Sequence, residues 1–484
     1  MKYIYLMLFL TTQLLSGQED FADFDIELKG LTPEGKAFSI VDNENTYLFF
    51  ENRKEVKAVY LDKNQNLISE YSFTRPKRKF KNVLGYNSSG DDYHIYFSTK
   101  KKDEFCIVTV NLKNKTSSIK NVELKLESTF LDAYLKDNIF HIVSLNDESV
   151  INIHSFKDDL SFTKNTFDFS NHQFNIDNFS KTKNKLADFY LSPYGFGLIE
   201  KLEVIDNKIP NSLEISSITN KIYHVGDEVI FSLDAYEETT LLIRLNINTF
   251  QSSVESISHV DIRDEKNDFM KTNSLLFENK LYQISSTKEN LSFSYQDLLS
   301  NNRSTIIRLN GKEDVSFKNT PIIQDGGYYS TRRELLKTKQ YLRKVFDANP
   351  GISINKSNSQ YQVRLGASKE LMHSSGSGMS GAIGGGTVTG FSPVRGVSFG
   401  YFISPTINSY GSFITTKSTY IKSLFDVNLN HQKGKVSNTE FDLISTFEKE
   451  YNNELRFKTI FRYNDTYILG FYLKGKYYLK SFKK

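Results

Sequence analysis

Apolar and polar residues alternate in short runs along most of this chain, and the runs come in groups of four. The clearest group spans 82–124. Val83-Leu84-Gly85-Tyr86 leads through a polar turn to Tyr93-His94-Ile95-Tyr96-Phe97. A charged turn then precedes Phe105-Cys106-Ile107-Val108-Thr109-Val110, and a Lys/Asn turn precedes Ser118 to Leu124. Runs of five to eight residues with period-two alternation, bounded by Asn, Asp, Gly and Lys, read as β-strands. The same order recurs from Ala37 to Phe73, from Phe130 to Phe169, from Lys221 to Ile257 and from Leu275 to Leu309. The second strand of each group begins at Tyr47, Tyr93, Ile139, Val229 and Leu281, at spacings of 46, 46, 90 and 52 residues. The long spacing is read as two units, one of them distorted, over 170–213.

A four-stranded unit of this length cannot bury both its faces alone, so such units must stack on one another. The pattern therefore predicts an all-β fold, a β-propeller of about seven four-stranded blades (range 6–8). A single large sandwich, or two separate β domains, is the competing architecture. The last unit, ending in Tyr467-Ile468-Leu469-Gly470-Phe471 and Tyr477-Tyr478-Leu479, is one strand short. Phe24 to Leu28 is expected to supply it and close the ring, which removes the open sheet edge. Gln18 to Asp23 reads as a loose acidic lead-in.

The periodicity breaks from Gly311. The expected organisation is a leader over 1–17, blades over 18–310, an insertion over 311–415 and closing blades of the same propeller over 416–484. Within the insertion, 330–346 reads as a helix. Thr331 and Glu334 suit a capping box, Leu335, Leu342, Val345 and Phe346 form an apolar stripe, and Asn349-Pro350-Gly351 ends it. A Gly/Ser-rich loop follows over 374–400.

Composition narrows the function. Abundant Tyr (28) and Phe (38) fit strands, and 24% charged residues fit a globular chain. A net charge of +4, from 61 basic and 57 acidic residues, gives no bulk case for nucleic acid. The start of the chain is more telling. Met1-Lys2, an apolar run from Tyr3 to Leu10 and the small pair Ser16-Gly17 read as a secretory signal. Leu14-Leu15-Ser16-Gly17 resembles a bacterial lipobox, but Gln18 stands where the lipidated cysteine must be. Export without a lipid anchor is expected. No segment reaches the roughly 20 apolar residues of a membrane span.

Catalytic motifs are missing. Cys106, the single cysteine, sits mid-strand and reads as a buried inert thiol. The eight histidines show no metal-ligand spacing. Gly376 to Gly381 matches G-x-G-x-x-G by chance within a glycine tract that continues where a helix would have to start. No cofactor and no metal are expected. What remains are candidate contact surfaces. The helix carries Arg332, Arg333, Lys337, Lys339, Arg343 and Lys344 against the single acid Glu334, and the loop offers Met379, Ile383, Val388 and Phe391. A packed helix with a solvated basic face explains the cations without any function. A second basic run, Arg75 to Lys81, reads as an exposed inter-blade loop. Two functions are carried forward. The first is an exported, non-enzymatic scaffold binding a protein partner in a bacterial cell envelope, with at most peripheral membrane contact. The second is a secreted hydrolase or lyase acting on a polymer at the channel face.

Overall fold

The computed structural model describes residues 18–28, 36–52, 54–172, 174, 185–190, 202–234, 237–265, 268–326, 332–357, 359–369, 406–407, 410, 417–451 and 454–483. The leader over 1–17 and the loop over 374–400 lie outside them.

Strands pair into seven antiparallel-dominated sheets, five of four strands, one of five and one of six. Blade 1 comprises Lys36–Asp42, Asn45–Glu51, Glu55–Leu61 and Leu67–Thr74. Blade 2 runs from Phe80–Ser89 to Thr116–Lys125, and blade 3 from Thr129–Lys136 to Phe162–Asp168. Blade 4 runs from Asn220–Val225 to Ser252–Ser258, and blade 5 from Lys271–Phe277 to Arg303–Asn310. First strands of adjacent blades lie side by side: Phe80–Ser89 against Thr129–Lys136, Lys271–Phe277 against Asn349–Ser357, and Arg456–Tyr463 against Lys36–Asp42. Middle strands are buried on both faces, while the fourth strands Leu67–Thr74, Thr116–Lys125 and Phe162–Asp168 are largely exposed. This gradient from inner to outer strand is that of a β-propeller.

Each junction has its own side-chain contact, that of blades 4 and 5 being Lys221 donating to Asn273. Tyr47 meets Tyr93 at 4.4 Å between blades 1 and 2, and Tyr96 stacks on Phe140 at 4.1 Å between blades 2 and 3. His224 Nε2 reaches Asp132 at 2.9 Å between blades 3 and 4, and Tyr361 donates to Glu278 at 2.9 Å between blades 6 and 5. The helix Glu440–Glu450 fills the junction of blades 6 and 7, where Arg364 meets its Asp442 at 3.2 Å. A Ser39–Thr459 hydrogen bond of 3.3 Å joins blade 1 to blade 7. The ring is closed.

The closing strand is Gln18–Asp25, paired with Lys476–Phe482 as the outermost strand of blade 7. The expected span, Phe24 to Leu28, is shifted. The acidic lead-in is itself the strand, because at the rim its acids face water and lysines: Asp20 takes Lys480 at 2.6 Å and Asp23 takes Lys476 at 3.0 Å. Phe24 and Ile26 turn inward and are buried.

The count of seven arises differently from the sequence reading. Residues 170–213 form no blade among the described residues. Leu202–Ile205 adds one parallel strand to blade 4, and Leu186–Tyr190 is helical. The stretch set apart as an insertion supplies blade 6 instead. Asn349–Ser357 and Gln360–Lys369 pair with each other and then with Lys417–Asp426. The outer position is taken by Ile322–Asp325, with Arg333–Leu335 beyond it.

The helix is correspondingly shorter, Thr338–Phe346. The open edge of Ile322–Asp325 captures Arg333–Leu335 as a strand, with Ile323 opposite Glu334, so no Thr331–Glu334 capping box starts the helix. Its buried side chains are Thr338, Tyr341, Leu342 and Val345, at the i, i+3, i+4, i+7 spacing of one face.

Strand order sorts the connections into two ends of the ring. Turns between first and second strands, and between third and fourth, share one end and are short. Asn43-Glu44 and Asp137-Asn138 are two-residue turns with positive φ throughout, the geometry that matches strand twist. Most long connections leave from the other end, including 169–219, 259–270, 311–348 and 370–416, while 427–455, which carries the helix Glu440–Glu450, leaves from the short-turn end.

Candidate functional site

Long connections on a rigid scaffold are where binding residues concentrate, so the end of the ring that carries them is the place to look. Over blades 5 and 6 it bears the helix Thr338–Phe346. The helix packs its apolar face on blade 6, with Tyr341 donating to the Leu365 carbonyl at 2.9 Å. That leaves Lys339, Arg343 and Lys344 exposed, as are Arg332, Arg333 and Lys337 just before the helix. Two of the six cations have a fixed partner: Arg333 Nε donates to Gln324 at 2.7 Å, and Lys339 lies 3.6 Å from Glu289. Arg343 and Lys344 fall in the last helical turn, where cations suit the helix dipole. Met379, Ile383, Val388 and Phe391 lie outside the described residues.

The fold adds cations that no sequence window brings together. Lys271 and Lys288, from two strand ends of blade 5, each lie 5.7 Å from the Phe346 ring. Lys271 also donates to the Ala348 carbonyl at 3.0 Å. Burial lowers the Lys271 pKa, Asp347 opposes that, and Lys369 adds to it. Lys369 stands directly across the ladder from Lys417 at the root of the Gly/Ser-rich connection. Like charges opposed in this way are destabilising. The acids in this sector include Glu289, Glu334, Asp325 and Asp347, with Asp264 beside Asn290, Asp268 beside Phe269 and Glu214 against Ser418. The second basic run behaves differently. Arg75 turns inward to a buried ion pair with Glu51, and Lys79 meets Glu104 at 2.5 Å.

Elsewhere, buried charge is paired. Lys221 and Asp234 are fully buried 3.4 Å apart, and Asp234 also accepts from Thr240 (2.6 Å), Ser274 Oγ (2.8 Å) and the Ser274 amide (2.9 Å). Burial alone would raise the Asp234 carboxyl, but Lys221, His259 and Thr240 hold it well below the usual range. Lys221 also donates to Asn273 at 2.5 Å, tying blade 4 to blade 5. Glu448 meets Lys458 at 2.9 Å. Asp442 is shared by Arg364 (3.2 Å) and Lys422 (3.5 Å), while burial, followed by Arg364, brings Lys422 down to about 8. The interior carboxylates thus serve as counter-ions between strands and blades.

A polar cavity lies beside that last cluster, lined by Asn211, Ser353, Gln362, Arg364, Lys422 and Thr439. Its volume of about 20 Å³ holds one water-sized group, far below the several hundred Å³ of an ordinary ligand pocket. Among the described residues no group of three His, Cys, Asp or Glu is placed to hold a metal. Cys106 is buried and its thiol is pushed up to about 12 by that burial. His94 and His141 bond Thr109 and Ser155, each at 2.9 Å, the structural role expected of strand histidines.

No family model matches this chain, and no curated protein does. Solved structures give distant likenesses. One is a protein from Lactobacillus plantarum, at 9% identity and a TM-score of 0.27, covering 68% of this chain and 80% of that one. Another is an apocarotenoid oxygenase from Synechocystis, at 6% identity and a TM-score of 0.28, covering 57% of this chain. The chain spans 61% of the oxygenase. At such low overlap the architecture stands on this chain's own strand topology, which is that of a closed seven-bladed β-propeller.

Proposed function

We infer that the protein is an exported, non-enzymatic propeller that acts as a protein-interaction or scaffold subunit in a bacterial cell envelope. In its most concrete form it is an accessory or plug-like subunit of an outer-membrane complex. The observation carrying this reading is the asymmetry of the ring: one end has mostly short turns, while the other gathers most of the long connections and a sector of exposed cations. The leader-like start of the sequence supports export. The use of interior carboxylates as counter-ions favours a scaffold over a polymer-cleaving enzyme, which needs a free acid and base flanking a cleft.

Affinity capture from detergent-solubilised envelopes tests the reading. A stoichiometric partner is expected, protected from proteolysis together with the long-connection end. Recovery of the protein alone, at every detergent strength that leaves known envelope complexes intact, would sink it.

A further inference from the structure

The cation sector over blades 5 and 6 has a chemistry of its own. Exposed Arg343 and Lys344 on the helix, Lys288 on a blade 5 turn and the opposed pair Lys369 and Lys417 come from separate connections at one end of the ring. Two large apolar side chains stand out to water in the same sector. Leu336 is 89% exposed and is followed by Lys337, while Phe269 is 72% exposed and lies two residues before Lys271.

The arrangement matters as much as the charge. A protein interface has a contiguous apolar core within a polar rim. Here the apolar groups are single and separated, each with a lysine within two residues and an acid within two residues on the other side. A bilayer surface accepts this layout: phosphates meet the cations, and an isolated leucine or phenylalanine enters the headgroup boundary without a shaped pocket.

We propose that this sector docks the propeller on an anionic membrane surface, with lipid headgroup phosphates as its ligands. The proposal rests on the export reading only for which membrane is met. It assigns the cations to lipid and leaves the rest of the long-connection end to the protein partner. Docking orients the ring with its short-turn end away from the bilayer. It also sets phosphate against the opposed pair Lys369 and Lys417.

Vesicle sedimentation with the full mature chain tests it, and no protein partner is needed. Vesicles of phosphatidylcholine alone are compared with vesicles carrying about one third phosphatidylglycerol. Binding is expected only to the anionic vesicles, and it should be lost as salt rises from about 0.1 M to 0.5 M. The double variant Arg343→Glu/Lys344→Glu should bind at least about tenfold more weakly. Its circular dichroism and melting should stay unchanged, since both side chains are exposed. Leu336→Ser should weaken binding without changing its salt dependence. Equal binding to neutral vesicles, no binding to either, or an unaffected double variant would overturn the proposal. So would binding to soluble polyphosphate without binding to vesicles. Because capture from solubilised envelopes contains no bilayer, either test can fail while the other succeeds.

Discussion

His141 and His154 lie on neighbouring strands of blade 3, where Ile142 pairs with His154 and His141 with Ser155. Both are buried, at 4% and 5% exposure. Burial brings each from 6.5 down to about 4, with His224 adding to the effect on His141 and Lys164 to that on His154. The folded form therefore stays neutral over a range in which the unfolded chain takes up protons. Stability is unaffected above pH 6.5 and falls as pH drops from 6.5 toward 4, on the order of 2–3 kcal/mol for each histidine. Urea unfolding at a series of pH values checks this. His141→Gln, which keeps a partner for Ser155, should flatten the slope below pH 6.5 in part, since His154, His94 and His431 are held down by burial as well. An unchanged slope would place the acid sensitivity elsewhere.

At the scale of single elements, blade 6 shows what a close approach between strands demands. Gly366 faces Tyr420 across the ladder, and a Cβ there would sit 2.1 Å from the Thr419 carbonyl oxygen and 2.7 Å from the Tyr420 Cα. Both are backbone atoms, so neither can rotate away. Gly366→Ala should cost about 2–3 kcal/mol, read as a shift in the urea midpoint. A neutral result would mean that the two strands separate readily. Nothing in the sequence marks this glycine, since its contact is made with a strand some fifty residues away. The same distinction explains what could be read from the sequence. Blades 1 to 5 were legible because each is built on a run of consecutive hairpins, whose alternation and turn residues are local. Blade 6 was not, because its outer strand Ile322–Asp325 precedes its inner strand Asn349–Ser357 and a long connection splits its centre. Arg333–Leu335 carried a credible helix-start pattern until an open sheet edge claimed it. The six basic residues from Arg332 to Lys344 were visible as a local cluster. Their neighbours Lys271, Lys288, Lys369 and Lys417 were not, because only the ring brings four distant segments to one end.

For the whole molecule, ring closure is the property on which everything else depends. Each blade buries its faces on two neighbours, so a break at one junction exposes apolar surface on both sides of it. The junction most open to test is blade 7, where the two ends of the chain meet through Gln18–Asp25 and Lys476–Phe482. The ion pairs of Asp20 and Asp23 lie at the exposed rim and contribute little. The ladder and the buried side chains Phe24 and Ile26, which pack with Phe50, Phe457 and Tyr477, hold the strand in place. Phe24→Ala should therefore cost about 3 kcal/mol. Removal of residues 18–28 should lower the melting temperature by at least about 10 °C and leave the edge of Lys476–Phe482 unpaired. That edge is a template for an added strand, so a synthetic peptide of residues 18–28 should restore the melting temperature in a saturable way. A scrambled peptide of the same composition should not, because register places Phe24 opposite Tyr477. If the truncated chain melts where the intact one does, the two ends are not the clasp of the ring. The closed form would then rest on the junction of blades 6 and 7, where the helix Glu440–Glu450 is wedged.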